Sequence, residues 1–188
     1  MADDALHLIP FTPQHFGVLA SWFSNERDVV QWGGPAVSYP LDDRQMQAMV
    51  DQGIGIEPAR LCWMVAHASV IVGHGQLGLD WRNGVARLGR VAVAPAARGR
   101  GVAVPMLRLI VDAAFARDGI ERVDLYAYTW NAPAIRTYER LGFKHEGTQR
   151  SLVRVGDERW DTAVMAVLRE EWSAISIADA GVPKHSPT

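Results

Sequence analysis

The sequence predicts an α+β domain built on a mixed, mostly antiparallel sheet flanked by helices. Three observations carry that expectation. Three apolar strand-length runs, Cys62–Ala66, Val70–Leu79 and Val85–Val93, are separated only by short polar or glycine turns, which predicts an antiparallel meander. The third run is followed by a helical pattern and then by another strand pattern, Val123–Tyr128, so the strands on either side of that helix are parallel neighbours. Two more strand patterns, Phe143–Val153 and Trp160–Leu168, follow a further helix and surround the turn Val155-Gly156-Asp157. This order of elements argues against a doubly wound parallel fold.

The elements follow in chain order. Ala5–Ile9 alternates loosely and reads as a first strand stopped by Pro10. Thr12 precedes Pro13 as a cap before a first-turn proline, and Phe16, Leu19, Ala20 and Phe23 recur at helical spacing, so a helix is expected over residues 13–24. Trp32-Gly33-Gly34-Pro35 reads as a loop. Leu41–Val50 reads as a second helix, with Met46, Met49 and Val50 on one side, ended by Gly53, Gly55 and Pro58. Arg82-Asn83-Gly84 is a hairpin signal between the second and third runs of the meander. Ala103, Leu107, Ile110 and Ala114 mark the buried face of a helix reaching about Arg117, with Pro105 tolerated in its first turn. Asn131 caps a helix reaching Leu141, and Gly142 stops it. One domain is expected over residues 1–172, and a frayed tail over 173–188.

Composition narrows the function classes. With 19 Lys and Arg against 21 Asp and Glu, the net charge of −2 gives no general attraction to nucleic acid or to an anionic membrane. Cys62 is the only cysteine, which excludes an internal disulfide and cysteine-cluster zinc sites. MADDALHL lacks the basic and apolar regions of a signal peptide, and no apolar run approaches membrane-spanning length. A cytoplasmic protein is expected, with no metal.

Two segments carry chemistry. Val91–Ala103 reads VAVAPAARGRGVA, a strand ending at Pro95, then a basic glycine turn, then a helix start. Unpaired amides, the helix dipole and glycine's close backbone approach suit such a turn to phosphate. No Gly-Lys-Ser/Thr closes it, and it lacks the three spaced glycines of a dinucleotide fingerprint. The bland alternative is a solvated basic cap. Asn131–Phe143 reads NAPAIRTYERLGF. Asn131 and Tyr138 lie two helical turns apart on nearly one side, and a phenol at Tyr138 can donate a proton.

Together these segments resemble the GCN5-related N-acetyltransferase (GNAT) family, through V-x-V-x-P-x-x-R-G-x-G-V-A at Val91–Ala103 and N-x-x-A-I-x-x-Y-x-x-L-G-F at Asn131–Phe143. The final stretch, Gly156–Asp161 with Met165 and Arg169–Trp172, looks like the branch acting on protein N-termini, ribosomal proteins and small amines. The resemblance implies a GNAT-like sheet with a splayed parallel strand pair, and acetyl-coenzyme A as cosubstrate. It implies that Val91 and Val93 pair with the pantetheine arm, and that Arg98, Gly99, Arg100, Gly101, Val102 and Ala103 cradle the pyrophosphate. Asn131 and Ala134 would line the pantetheine, and Tyr138 would protonate the leaving thiolate.

Many members carry a glutamate on the strand before the turn, and Ala86–Val93 has no carboxylate. The general base then falls to Asp80 or Glu26, with His74 and Asp28 also in view, or to a water relay. Trp22, Phe23, Trp32 and Tyr39 with Glu26, Asp28, Asp42 and Asp43 suggest a cleft for a cationic amine, with Trp32 as the leading wall residue. The expected partner is an amine-bearing acceptor, a small molecule or a protein N-terminus, with a homodimer as an option and neither nucleic acid nor membrane. The competing class is a coenzyme A-binding sensor or partner module that transfers nothing, motivated by the missing strand carboxylate.

Overall fold

Period-two alternation along the strands sorts the apolar residues of this chain onto two faces of one sheet. The computed structural model describes residues 5–180, so the expected tail beyond them, 181–188, lies outside the described residues. The strands are β1 (Leu6–Pro10), β2 (Arg60–His67), β3 (Val70–Asp80), β4 (Val85–Val93), β5 (Arg122–Tyr128), β6 (Lys144–Val155) and β7 (Glu158–Leu168), in the order β1-β2-β3-β4-β5-β7-β6. The helices are α1 (Phe16–Ala20), α2 (Glu26–Gly33), α3 (Asp43–Asp51), α4 (Ala103–Phe115), α5 (Ala132–Arg140) and α6 (Arg169–Ala180). Val65 joins the core under α4, with Leu88, Val123 and Leu125. Its neighbour Met64 points the other way, into a core with Phe16, Leu19, Val29 and Met46 of the early helices.

Every strand pair is antiparallel except β4–β5. Those two pair in parallel only over Val85–Leu88 and Arg122–Leu125. Past that point β4 runs on to Val93 and β5 to Tyr128 without each other. A bulge lies where they part. His74 faces Ala92 and Gln76 faces Gly89, so Arg90 and Val91 together oppose Gly75. Arg90 has φ +50°, in the left-handed region. An extra residue in one strand bends it, which turns β4 away from β5 and opens the sheet.

Two expected elements differ. The helix expected over 13–24 is a 3-10 turn at Pro13–His15 followed by the short α1. A separate helix, α2, then takes in Trp32 and Gly33, which the sequence reading leaves as loop. The reason is a second cap. The Asn25 side-chain oxygen accepts the Asp28 amide at 3.0 Å, and Val29, Val30 and Trp32 are buried behind it. At the C-terminal side α6 runs through the expected boundary at 172. Trp172 packs against Phe115 and donates its indole N–H to Asp112 Oδ1 at 2.7 Å. Arg169 donates to the Phe115, Arg117 and Ile120 carbonyls at 2.8 Å, which caps the end of α4.

Candidate active site

The parting of β4 from β5 leaves an unpaired strand edge. Ala94 donates its amide to Val72 O on β3 at 2.9 Å. Backbone direction alternates, so Ala92 and Ala94 serve β3 while Val91 and Val93 face the gap. Arg98 uses that open edge, with Nε donating to Val93 O at 3.2 Å. The gap is a cleft of about 680 Å³, and Val91, Val93, Arg98, Ala103, Ala134 and Tyr138 line it, with Asn131 at the start of α5.

Gly99, Arg100, Gly101 and Val102 stand outside the lining, in the turn leading into α4. Gly99 has φ +72° and Gly101 φ +76°, and an added Cβ would meet nothing at either. Conformation, not space, requires glycine there. Left-handed turns aim successive amides to one side and make a nest for an anion. The α4 ladder begins with the Met106 amide on Val102 O at 3.1 Å, so the amides before it are available to a ligand. These features fit a pyrophosphate at the mouth of the cleft and an extended amide-bearing arm along β4.

Asn131 Oδ1 accepts the Ala134 amide at 3.3 Å, so the side chain caps α5 and keeps its Nδ2 donor free of that bond. Two turns on, Tyr138 meets Phe143 edge to face at 5.9 Å between ring centres. Burial pushes the Tyr138 phenol up to about 12, so it is protonated at neutral pH and has a proton to donate.

A second cleft of about 490 Å³ lies on the α2 face of the sheet and shares a wall with the first, including Trp32, Gly89, Arg90 and Tyr126. Period-two alternation builds it. Arg60 and Gly78 of β2 and β3, Arg87 of β4, Tyr126 and Tyr128 of β5 and Thr162 of β7 all point to this side. Gln76 anchors two of its arginines. Its Oε1 accepts Arg60 Nη1 at 3.1 Å and Arg90 Nη1 at 3.2 Å. With that oxygen occupied, Gln76 Nε2 faces His74 Nε2 at 3.0 Å, so this ring nitrogen is the acceptor. Arg87 is spent on Asp124 by two bonds of 2.8 Å. Arg90 is lowered to about 10 by burial and by the Arg60 charge, and the Trp32 indole donates to Arg90 O at 2.7 Å. Burial also raises the Cys62 thiol to about 11, which keeps it neutral.

The candidate bases do not gather. Asp80 is exposed at the end of β3, accepting the Asn83 amide at 3.1 Å and Nδ2 at 2.7 Å, which hold its carboxyl below the usual range. Glu26 is exposed in the first turn of α2. Neither lines a cleft. His74 is fully buried between Phe11 and Trp32 and is lowered to about 3 by burial, with Arg90 and His15 adding to the effect. Among the carboxylates considered, only Asp28 lines the first cleft, and its Oδ2 accepts from Ser24 N and Asn25 Nδ2. Asp42 caps α3, and neither Asp42 nor Asp43 reaches a cleft. Trp22, Phe23 and Trp32 do line the first cleft, whereas Tyr39 is exposed elsewhere. Sequence reasoning missed Arg60, Gln76, Arg87, Arg90 and Thr162. Only strand register brings them together, and no local spacing signals it. Among the described residues no group of three or more His, Cys, Asp or Glu is disposed to hold a metal, and no described helix is long and apolar enough to cross a membrane.

Comparison with known proteins agrees with this geometry. Residues 25–143 match the Acetyltransferase (GNAT) family. The chain is 23% identical over 137 residues to the SPbeta prophage-derived uncharacterized N-acetyltransferase YokL of Bacillus subtilis, covering 73% of this chain and 77% of that protein. It is 30% identical over 99 residues to the L-amino acid N-acetyltransferase AaaT of Escherichia coli, covering 51% of this chain and 60% of that protein. The crystal structure of spermidine N-acetyltransferase from Vibrio cholerae in complex with CoA and spermine superposes with a TM-score of 0.78 at 18% identity, over 91% of this chain and 99% of that one. At that identity the likeness speaks for the fold. A strand pair splayed beside a glycine nest, and a family match running from α2 to the exit of α5, lead to one conclusion: the chain belongs to the acetyltransferase (GNAT) family and is an acetyl-coenzyme A-dependent enzyme that acetylates an amine.

Proposed function

We propose that the transfer occurs by direct attack of a primary amine, with Tyr138 as the general acid. The single observation that carries this reading is a protonated, partly buried phenol lining the cleft beside an unpaired strand edge. When bound, acetyl-coenzyme A supplies an activated thioester carbonyl and a thiol leaving group. The backbone groups of Val91 and Val93 hold its extended arm as an added strand would. The turn Arg98 to Ala103 takes the pyrophosphate, with Arg98 and Arg100 adding charge. Asn131 donates Nδ2 to the arm beside Ala134. The Tyr138 hydroxyl gives its proton to the departing sulfur, a role worth about 10²-fold or more in rate.

The amine must lose a proton in the same event. Asp80 and Glu26 both stand away from the clefts, so we assign this proton to a water relay running toward Asp28, the carboxylate in the lining. The acceptor is a small amine or a protein N-terminus, as expected of the branch that the closing Gly156–Trp172 stretch resembles. The names of relatives span an L-amino acid and spermidine, which differ in charge.

Two measurements test the reading. Acetyl-coenzyme A is expected to raise Tm, because a ligand specific to the native state stabilises it. Tyr138→Phe is expected to keep that rise and to lower kcat about 10²-fold more than it changes KM. An unchanged kcat removes Tyr138 from the mechanism.

A further inference from the structure

We propose that the amine acceptor carries a carboxylate, bound by the guanidinium groups of Arg60 and Arg90 in the second cleft, so that the enzyme acetylates amino acids and rejects polyamines. The inference rests on the acetyl transfer assigned above and names the substrate class of that site.

Charge is the first argument. Arg60, Arg87 and Arg90 line the second cleft, and no Asp or Glu does. Asp124, opposite Arg87 on β5, has both carboxylate oxygens committed to Arg87. Arg60 and Arg90 have no ion pair among the described residues. They share one neutral oxygen, Gln76 Oε1. Two guanidinium groups converging on a single amide oxygen repel one another, and burial of Arg90 raises the cost of its unpaired charge. Arg60 also donates Nε to Gln52 Oε1 at 2.8 Å, which leaves its Nη2, whereas Arg90 keeps the Nε and Nη2 donors that match a carboxylate. A bound carboxylate relieves the repulsion. A polyamine adds more positive charge to it.

An unpartnered buried atom is the second argument, independent of the first. Thr162 is 2% exposed, lines the same cleft, and its Oγ1 has no hydrogen-bond partner among the described residues. A buried hydroxyl left without a partner is costly, and a polar substrate can supply the missing bond. The remaining wall is aromatic or aliphatic, with Trp32, Tyr126, Tyr128 and Leu152 suited to an apolar side chain.

The transfer balances without further reagents. The amine nitrogen forms a C–N bond to the acetyl carbon as the C–S bond breaks. The amine proton passes to water, and the sulfur takes the Tyr138 proton, which solvent replaces. The products are the N-acetyl amino acid and coenzyme A.

Thiol release from acetyl-coenzyme A is measured with a panel of L-amino acids, their carboxamides, the matching decarboxylated amines and spermidine. The expected result is a kcat/KM at least about tenfold higher for the best amino acid than for its amide or decarboxylated amine, the scale of one charge-assisted hydrogen bond. Arg60→Gln should shrink that ratio mainly through KM, with the acetyl-coenzyme A rise in Tm retained as proof of folding. In the unaltered protein the N-acetyl amino acid should raise Tm, and the uncharged N-acetyl amine should not. Equal or better turnover of spermidine or of decarboxylated amines overturns the inference and leaves acetyl transfer standing. Absence of thiol release with every amine class overturns both.

Discussion

His74 gives the chain an acid-side weakness whose size can be worked from its surroundings. The ring is fully buried, edge to face with Phe11 at 4.8 Å between ring centres, and its Nε2 faces the Gln76 amide donor. Burial, then Arg90, then His15 lower its pKa from 6.5 to about 3. The folded state therefore binds fewer protons than the unfolded state between these values. A depressed pKa contributes stability that is present above 6.5 and is lost as pH falls toward about 3. At about pH 4.5 the loss spans about two pH units at ~1.36 kcal/mol each, or roughly 2.5–3 kcal/mol. That result needs only a folded value well below 4.5, and it compares with a typical total of about 5–15 kcal/mol. Carboxylates held low by partners, among them Glu146 and Glu171, also cost stability in acid. His74→Gln isolates the histidine, since it offers Gln76 an acceptor and does not titrate. Urea denaturation of both proteins at about pH 7.5 and 4.5 reads the difference. The wild type should lose about 2.5 kcal/mol more than the variant across that range. The reasoning fails if the two proteins lose equal stability, or if ring NMR shows His74 protonated in the folded state at about pH 5.

Two further outcomes follow from particular contacts. Gly101→Ala should weaken acetyl-coenzyme A binding several-fold by calorimetry, because a side chain at φ +76° costs about 1 kcal/mol and the loop relieves it by turning its amides. Arg169→Met removes three carbonyl partners at the exit of α4 and should cost about 2–3 kcal/mol, a fall in Tm of roughly 5–10 °C by thermal denaturation.

The legible parts of this chain are those in which neighbours in sequence do the work together. Arg98–Ala103 announces itself because the nest proposed for the donor is made of backbone amides, and glycine with a helix start arranges amides in that way. Asn131 and Tyr138 announce themselves because one short helix carries both. Strand boundaries within the meander follow from alternation, and β4 is found at Val85–Val93 as read. What failed to show did so for the opposite reason. The cap at Asn25 stays hidden because the short helix behind it carries only three buried apolar residues and runs into Gly33-Gly34-Pro35, which reads as loop. Arg90 sits in a bulge with φ +50°, a conformation that no residue type there foretells.

The second cleft, the proposed acceptor side, shows why substrate class is harder to read than cofactor class. Arg60, Gln76 and Arg90 meet through the register of three strands, where Gln76 pairs with both Cys62 and Gly89. A shift of one residue in either pairing would send these side chains to the α4 face and erase the site. The sequence contains the same arginines in either register. Register itself is held by apolar partners on the opposite face, such as Leu77 and Leu88, which are buried under α4 and paired with each other. The packing that fixes the register beside the first cleft thus also fixes which charges face the second. The aromatic and acidic residues of the early helices suggested a cationic amine because they are clustered in sequence. The sheet face gathers guanidinium groups from residues 60, 87 and 90, and it is this face that lines the second cleft.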